Sequence, residues 1–199
     1  RVDMRVIATP RLTLEPQVAA HAAAMFVVLS DLAIYEFENA PPSSHDWLRA
    51  RYAKLEARQS ADGAERWLNW VIRLQNNQLI GYVQATVRAD GSSMIAYDLA
   101  SSFWGQGLAH EAVAAMATEL VDRYDTCELW AVLKRRNYRS ERLLTRLGFT
   151  LAAVAQHVEQ DALADESVMR RPAILTPNHA FSKNGKTTAS SASGASSGM

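Results

Sequence analysis

The chain has 199 residues, 48% of them hydrophobic and 21% charged, a composition that fills one buried core and excludes a disordered polymer. The 21 lysines and arginines balance 21 aspartates and glutamates, so no net field draws the protein to nucleic acid or to an anionic membrane, and any anion-binding site must be local. A single cysteine, Cys127, excludes an internal disulfide framework and a thiolate-rich zinc site and fits a reducing compartment, so a cytoplasmic location is the expectation.

The first residues, Arg1 to Arg5, carry positive charge with no apolar segment or small-residue cleavage site behind them, so no leader peptide is expected. Leu12 and Leu14 alternate with polar neighbours in a strand from Arg11 to Glu15, and Val18, Ala22, Met25, Phe26 and Leu29 follow at helical spacing. That stretch is interrupted by His21 and falls short of the roughly 18 apolar residues of a membrane span, so no membrane association is expected. Ala40-Pro41-Pro42-Ser43-Ser44 breaks the chain. A second helix then starts from Ser43 with Asp46 in a capping-box-like arrangement, and Trp47, Leu48, Tyr52 and Leu55 form its apolar stripe. From Trp67 the period changes to two: Leu68, Trp70, Ile72 and Leu74 share one face, and Trp67, Asn69, Val71 and Arg73 the other. The pattern alone makes Trp47, Trp67 and Trp70 core residues. Gln75 to Gln78 is a turn, Leu79 to Arg88 the second arm of a hairpin, Asp90-Gly91 the next turn, and Met94 to Ala100 a third strand.

A short loop, Phe103 to Gly107, leads into the clearest helix of the sequence, Leu108 to Tyr124. Cys127 to Leu133 reads as a strand with the cysteine as a small apolar filler. Ser140 to Leu147 reads as a helix stopped by Gly148, and Leu151 to Val158 and Ser167 to Arg170 as terminal strands. The order predicts an α+β fold, a mixed, mostly antiparallel twisted sheet of about six or seven strands flanked by helices. One domain over residues 1–171 is expected. The tail over 172–199, rich in Ser, Ala, Gly and Thr, cannot offset its ordering entropy by burial and is expected to be disordered.

The most informative segment is the strand, glycine loop and helix from Met94 to Tyr124. A helix N-terminus leaves N–H groups without intrahelical partners and carries partial positive charge, which suits a phosphate. Gly105 and Gly107, without Cβ atoms, permit the turn and let diphosphate oxygens approach the amides of Gln106, Gly107, Leu108, Ala109 and His110. A plainer reading is that two glycines only turn a strand into a helix. A dinucleotide fingerprint is absent, since His110 stands where its third glycine belongs, and no P-loop lysine follows.

A second cluster, Asn137-Tyr138-Arg139-Ser140 with Leu143, Leu144 and Leu147-Gly148-Phe149, adds to this. Together with Trp104-Gly105-Gln106-Gly107-Leu108-Ala109-His110-Glu111-Ala112, it resembles the GNAT superfamily of acetyl-CoA-dependent N-acetyltransferases. Within that superfamily it looks like the branch that includes the ribosomal-protein N-terminal alanine acetyltransferases. The resemblance is strongest from Trp70 to Phe149 and extends to Thr9-Pro10-Arg11-Leu12-Thr13-Leu14 and Asp165 to Arg171. It implies acetyl-CoA as cosubstrate, no metal, and a sheet splayed at the cofactor site. The free backbone groups of Asp98, Leu99 and Ala100 would bond the pantetheine arm as an added strand would. By the same likeness the glycine loop would hold the diphosphate, Asn137 would contact the cofactor arm, and Ser140 would lie near the thioester sulfur. Asn137 and Ser140 also suit a plain helix-capping pair.

The reaction implied is direct attack of a primary amine on the thioester, with a backbone N–H near Leu99 stabilising the oxyanion. Where the superfamily often carries a tyrosine general acid this chain has Leu144, which leaves Ser140 to protonate the thiolate. A base must take the amine proton. Glu159, His157, Asp98 and Glu111 are candidates, and Glu159 is favoured because the likeness places its segment at the acceptor cleft, with Glu111 read as structural. Lys134-Arg135-Arg136 is either a contact for the adenosine 3'-phosphate or a solvated turn, and the loop from Tyr35 to Pro42 would cover the acceptor. The acceptor's identity, protein N-terminus or small molecule, stays open, and a homodimer is compatible with the reading. A non-catalytic module that binds acetyl-CoA or CoA is the alternative from a different class.

Overall fold

Alternating apolar residues in the middle of the chain build an eight-stranded sheet. In the computed structural model, which describes residues 2–173, the strands are β1 (Ile7–Ala8), β2 (Leu12–Pro16), β3 (Glu65–Leu74), β4 (Leu79–Arg88), β5 (Ser92–Leu99), β6 (Glu128–Lys134), β7 (Thr150–Leu151) and β8 (Glu166–Pro172). The α-helices are α1 (Ala22–Val28), α2 (His45–Leu55), α3 (Leu108–Arg123), α4 (Tyr138–Arg146) and α5 (Val154–Glu159). In space the strands run β1-β2-β3-β4-β5-β6-β8-β7, and every neighbouring pair is antiparallel except β5 and β6. This is the α+β sheet expected, with the two-residue strand β1 added at one edge and the terminal strand expected from Leu151 reduced to the two-residue β7 at the other.

The register decides which side chains share a face. Trp70 lies opposite Val83 and Leu68 opposite Ala85, while Val83 lies opposite Tyr97 and Ala85 opposite Ile95. These residues therefore point to one side, where Ala112, Val113, Met116 and Leu120 of α3 bury against them. Val71 points to the other side and is buried with Met25, Leu29, Leu48 and Tyr52 of α1 and α2. A large apolar side chain buried in either layer contributes about 2 kcal/mol. Successive residues of β4 and β5 thus serve two separate layers, which matters for the site.

Several expectations are corrected. The α2 cap is Ser44 rather than Ser43; its Oγ accepts a 3.0 Å hydrogen bond from the Trp47 N–H. The strand expected over Leu151 to Val158 ends after Leu151. Ala153 N–H bonds Gln156 Oε1 and starts α5, whose Val154 and Val158 are 82% and 77% exposed. The run Leu151-Ala152-Ala153-Val154-Ala155 has no true alternation, and alanine favours a helix. Trp70 alone of the three tryptophans is core, since Trp47 is 49% exposed and Trp67 is half-buried with its indole N–H on Glu65. Cys127 is exposed, with its Sγ 3.3 Å from the Gly91 carbonyl, because it precedes β6. At the C-terminal end Pro172 still pairs with Glu128, and Ala173 N–H donates to the Cys127 carbonyl. The rest of the expected tail lies outside the described residues.

The two halves of the sheet part company at the parallel pair. β5 and β6 are joined only at Ser92, Ser93 and Met94, opposite Glu128, Leu129 and Trp130. Beyond that point β5 stays with β4 as far as Leu99, and β6 stays with β8 as far as Lys134. Each antiparallel ladder holds its own strand as the sheet twists, and a wedge opens between them.

Candidate active site

The wedge presents an unpaired strand edge. Ala100 N–H donates to the Ile80 carbonyl at 2.8 Å, so the two-residue alternation of an antiparallel ladder turns the Leu99 N–H away from β4 and into the wedge. Of the three residues expected to offer backbone groups, Leu99 alone presents an N–H to the wedge. Ala100 is committed to β4, and Asp98 stands in the hydrogen-bonded register opposite Tyr82 and contributes its side chain instead. The Leu99 carbonyl is already taken by the Trp104 indole N–H at 3.0 Å. Gly81 makes the close approach of β4 possible here, since a Cβ on it would lie 2.1 Å from the Asp98 carbonyl oxygen.

Next along the chain, Gly105 and Gly107 both adopt φ +76°, and a Cβ on Gly105 would meet no atom within 4 Å. The left-handed Gly107 caps α3, which leaves the first-turn N–H groups of Leu108, Ala109 and His110 without intrahelical partners. The loop is held from behind. Arg11 donates to the Gln106 carbonyl at 2.8 Å and to Glu111 at 3.1 Å, and Thr9 Oγ1 donates to Glu111 at 2.9 Å. Those bonds keep the Glu111 carboxyl below its usual range against the opposing effect of burial, and they make it a brace for the loop. On the open side, the Arg139 guanidinium stacks over the Trp104 ring at 3.5 Å, so α4 and the glycine loop touch across the mouth of the wedge.

Asn137 is the N-cap of α4, and its Oδ1 accepts from the Ser140 N–H at 3.1 Å. The capping role is therefore real, and it leaves the Asn137 amide NH2 for another partner. Ser140 Oγ shares a 2.5 Å hydrogen bond with the Tyr97 hydroxyl, whose pKa burial pushes up to about 12. Leu144 closes the floor beneath them. Lys134 is occupied by Asp165 at 3.0 Å and Glu166 at 3.1 Å, and the Arg135 Nε donates to the Glu166 carbonyl.

Asp98 sits on the same strand as Tyr97 but on the opposite face. Its Oδ2 accepts from the Tyr82 hydroxyl at 2.7 Å, and burial raises its pKa to about 6, with nearby Glu38 adding to the rise. Two hollows meet there. A cavity of about 130 Å³ fills the wedge between Tyr97, Ser140 and Leu133, and a cleft of about 380 Å³ opens on the α2 side beneath Tyr35, Asn39 and Pro42. Asn39, Tyr82, Gln84 and Asp98 line both. The loop from Tyr35 to Pro42 covers the second hollow, and Asp31, just before it, accepts from the Ser101 N–H at 2.6 Å.

Glu159 is not in this constellation. It ends the exposed helix α5 and lines neither hollow, and His157 lies on the same helix. The favoured base was placed by a strand that the chain does not form. Tyr82 and Tyr97 were missed because an aromatic residue in an alternating strand reads as packing. No short-range pattern reports that Tyr97 meets a serine 43 residues away.

The outward N–H at Leu99, the open glycine turn with the first amides of α3, and the Asn137 amide left over from capping are the groups that would hold acetyl-CoA here. Among the described residues no set of three His, Cys, Asp or Glu converges as a metal site, and no helix is long and apolar enough to cross a membrane.

Comparison with known proteins agrees. The acetyltransferase (GNAT) domain family matches residues 11–150. Among solved structures, RimL, a ribosomal alpha-N-protein acetyltransferase in complex with coenzyme A, superposes with a TM-score of 0.71 at 20% identity, over 84% of this chain and 98% of that one. A ribosomal-protein-S5-alanine acetyltransferase from Vibrio fischeri gives 0.67 at 15% identity, over 85% and 97%. A spermidine N-acetyltransferase SpeG chimera from Vibrio cholerae and hSSAT gives 0.66 at 20% identity, over 81% and 95%. No curated protein sequence matches the chain. With a family match over most of its length, and with the splayed sheet and glycine turn in place, the chain belongs to the GNAT family of acetyl-CoA-dependent N-acetyltransferases.

Proposed function

We propose that the protein moves acetyl from acetyl-CoA to a primary amine that enters from the α2 side, with Asp98 as the proton acceptor and Ser140 as the proton donor. The supporting observation is that the wedge cavity and the α2-side cleft meet at Asp98 and Tyr82. Alternation along β5 puts Tyr97 and Asp98 on opposite faces, so the acid and the base approach a thioester in the wedge from its two sides.

Acetyl-CoA supplies a thioester-activated acetyl group; the acceptor nitrogen bonds to its carbonyl carbon as the C–S bond breaks. Asp98, with a pKa of about 6, is ionised at neutral pH and takes the proton that the nitrogen loses. The Leu99 N–H faces the carbonyl oxygen as charge develops on it. Ser140 Oγ, backed by Tyr97, donates a proton to the departing thiolate and regains one from solvent as the products leave, while Asp98 gives up the amine proton to solvent. Gly105, Gln106, Gly107, Leu108, Ala109 and His110 hold the diphosphate through backbone amides, and the Asn137 amide holds the pantetheine arm. The acceptor is either a protein N-terminus or a small amine, and the lone Cys127 suits a cytoplasmic setting.

The test is thiol release from acetyl-CoA across a panel of amines and peptides, run beside calorimetric titration with CoA. Turnover of at least one primary amine together with CoA binding is expected. Tight CoA binding with no acceptor turned over would favour a non-catalytic CoA-binding module instead.

A further inference from the structure

The α2-side cleft does not end at Arg51. A second hollow of about 270 Å³ continues along the same sheet face, and the two share Arg51, Leu55, Asn69 and Gln84. Together they form a groove that starts at Asp98 and runs beneath α2 to Lys54, Trp67 and Thr86. Its charge is polarised. Asp98 at the inner end is the sole acid that lines either hollow among the described residues, whereas Arg51 and Lys54, both exposed, project from α2 over the outer part. Among the described residues no carboxylate pairs with either cation; Arg51 lies 5.8 Å from the Trp47 ring centroid. On the inner wall Gln17, only 7% exposed, keeps its Nε2 buried without a hydrogen-bond partner.

A buried donor with no partner costs stability unless a ligand satisfies it, and unpaired cations over a groove select anions. An amine near Asp98 followed by hydrogen-bond acceptors at Gln17 and carboxylates at Arg51 and Lys54 satisfies each of these groups. A polyamine would instead put its further ammonium groups beside Arg51 and Lys54. Resting on the acetyl-transfer reading above, we infer that the acceptor is the N-terminus of an extended peptide segment whose next few residues are acidic.

The experiment uses the full chain with acetyl-CoA and four acceptors: Ala-Glu-Asp-Ala, Ala-Ala-Ala-Ala and Ala-Lys-Lys-Ala peptides, and free glutamate, with spermidine as a polyamine control. At low ionic strength kcat/KM for the acidic peptide should exceed that for the lysine peptide by about tenfold or more, and the ratio should shrink as salt is added. The double variant Arg51→Glu with Lys54→Glu should lower that ratio at least about tenfold, with CoA affinity reporting that the variant is folded. Equal rates on acidic and lysine peptides, a preference for spermidine, free glutamate matching the acidic peptide, or a ratio untouched by the double variant would each overturn this inference while leaving acetyl transfer in place. No turnover of any acceptor by CoA-binding protein would overturn the transfer reading, and this one with it.

Discussion

Replacing Asp98 with asparagine separates its chemistry from its packing. Asparagine has nearly the same shape and its Oδ1 can still accept the Tyr82 hydroxyl hydrogen bond, so the variant removes the proton site and little else. In the folded protein burial lifts the Asp98 pKa from its ordinary 3.8 to about 6, a rise that corresponds to roughly 3 kcal/mol. The sign follows from linkage: the folded state holds this proton more tightly than the unfolded chain, so ionisation costs stability as pH climbs from about 4 through 6 and the full penalty is present above that. Asp98→Asn should therefore be as stable as the parent near pH 4 and more stable near pH 7.5, by up to about 3 kcal/mol. Its kcat should fall by about a hundredfold or more, and the acid limb of the pH–rate profile near 6 should disappear. Urea denaturation at the two pH values and a pH series of thiol release read these out. An unchanged rate and pH profile would refute the assignment of the base, and a variant less stable at pH 7.5 would refute the burial argument.

Three further substitutions probe the wedge. Gly107→Asp puts a side chain at φ +76° whose Cβ would lie 3.4 Å from the Arg11 guanidinium, so the strained turn and a carboxylate beside Arg11 displace the loop amides that face the diphosphate, and calorimetry should show CoA affinity reduced by about a hundredfold or more. Unchanged affinity would move the diphosphate elsewhere. Ser140→Ala should lower kcat about tenfold while CoA affinity changes less than about threefold, and Tyr97→Phe should act in the same direction through the lost hydrogen bond; unaffected kcat in both would remove the pair from the chemistry. Because Arg139 stacks on Trp104 at the mouth of the wedge, CoA titration should change tryptophan fluorescence, and Trp104→Phe should abolish most of that change. A full signal in the variant would show that the mouth does not respond to the cofactor.

What could be read from the sequence was whatever depends on short-range spacing. Leu68, Trp70 and Ile72 announce β3 by alternation, the α3 stripe by three- and four-residue steps, and Gly105 and Gly107 by their place between a strand and a helix. What could not be read were partners set by register and by tertiary approach. Tyr97 with Ser140 and Tyr82 with Asp98 depend on which strand lies beside which, and one shifted residue would reverse every face. The alanine-rich segment after Leu151 misled for another reason. It is apolar without alternation, so helix propensity won, and Glu159 ended on an exposed turn rather than at the cleft. Asn137 shows that two readings can hold at once, since one atom of its amide caps α4 and the other remains available.

Every assignment above requires acetyl-CoA in the wedge between β5 and β6, and a crystal structure with bound CoA tests that most directly. The diphosphate should lie within hydrogen-bond reach of the amides from Gly105 to His110, the pantetheine arm should bond the Asn137 amide, and the thiol should end between the Leu99 N–H and Ser140. A coenzyme bound outside the wedge, or a wedge closed by Tyr97 and Leu144 while CoA sits elsewhere, would contradict it.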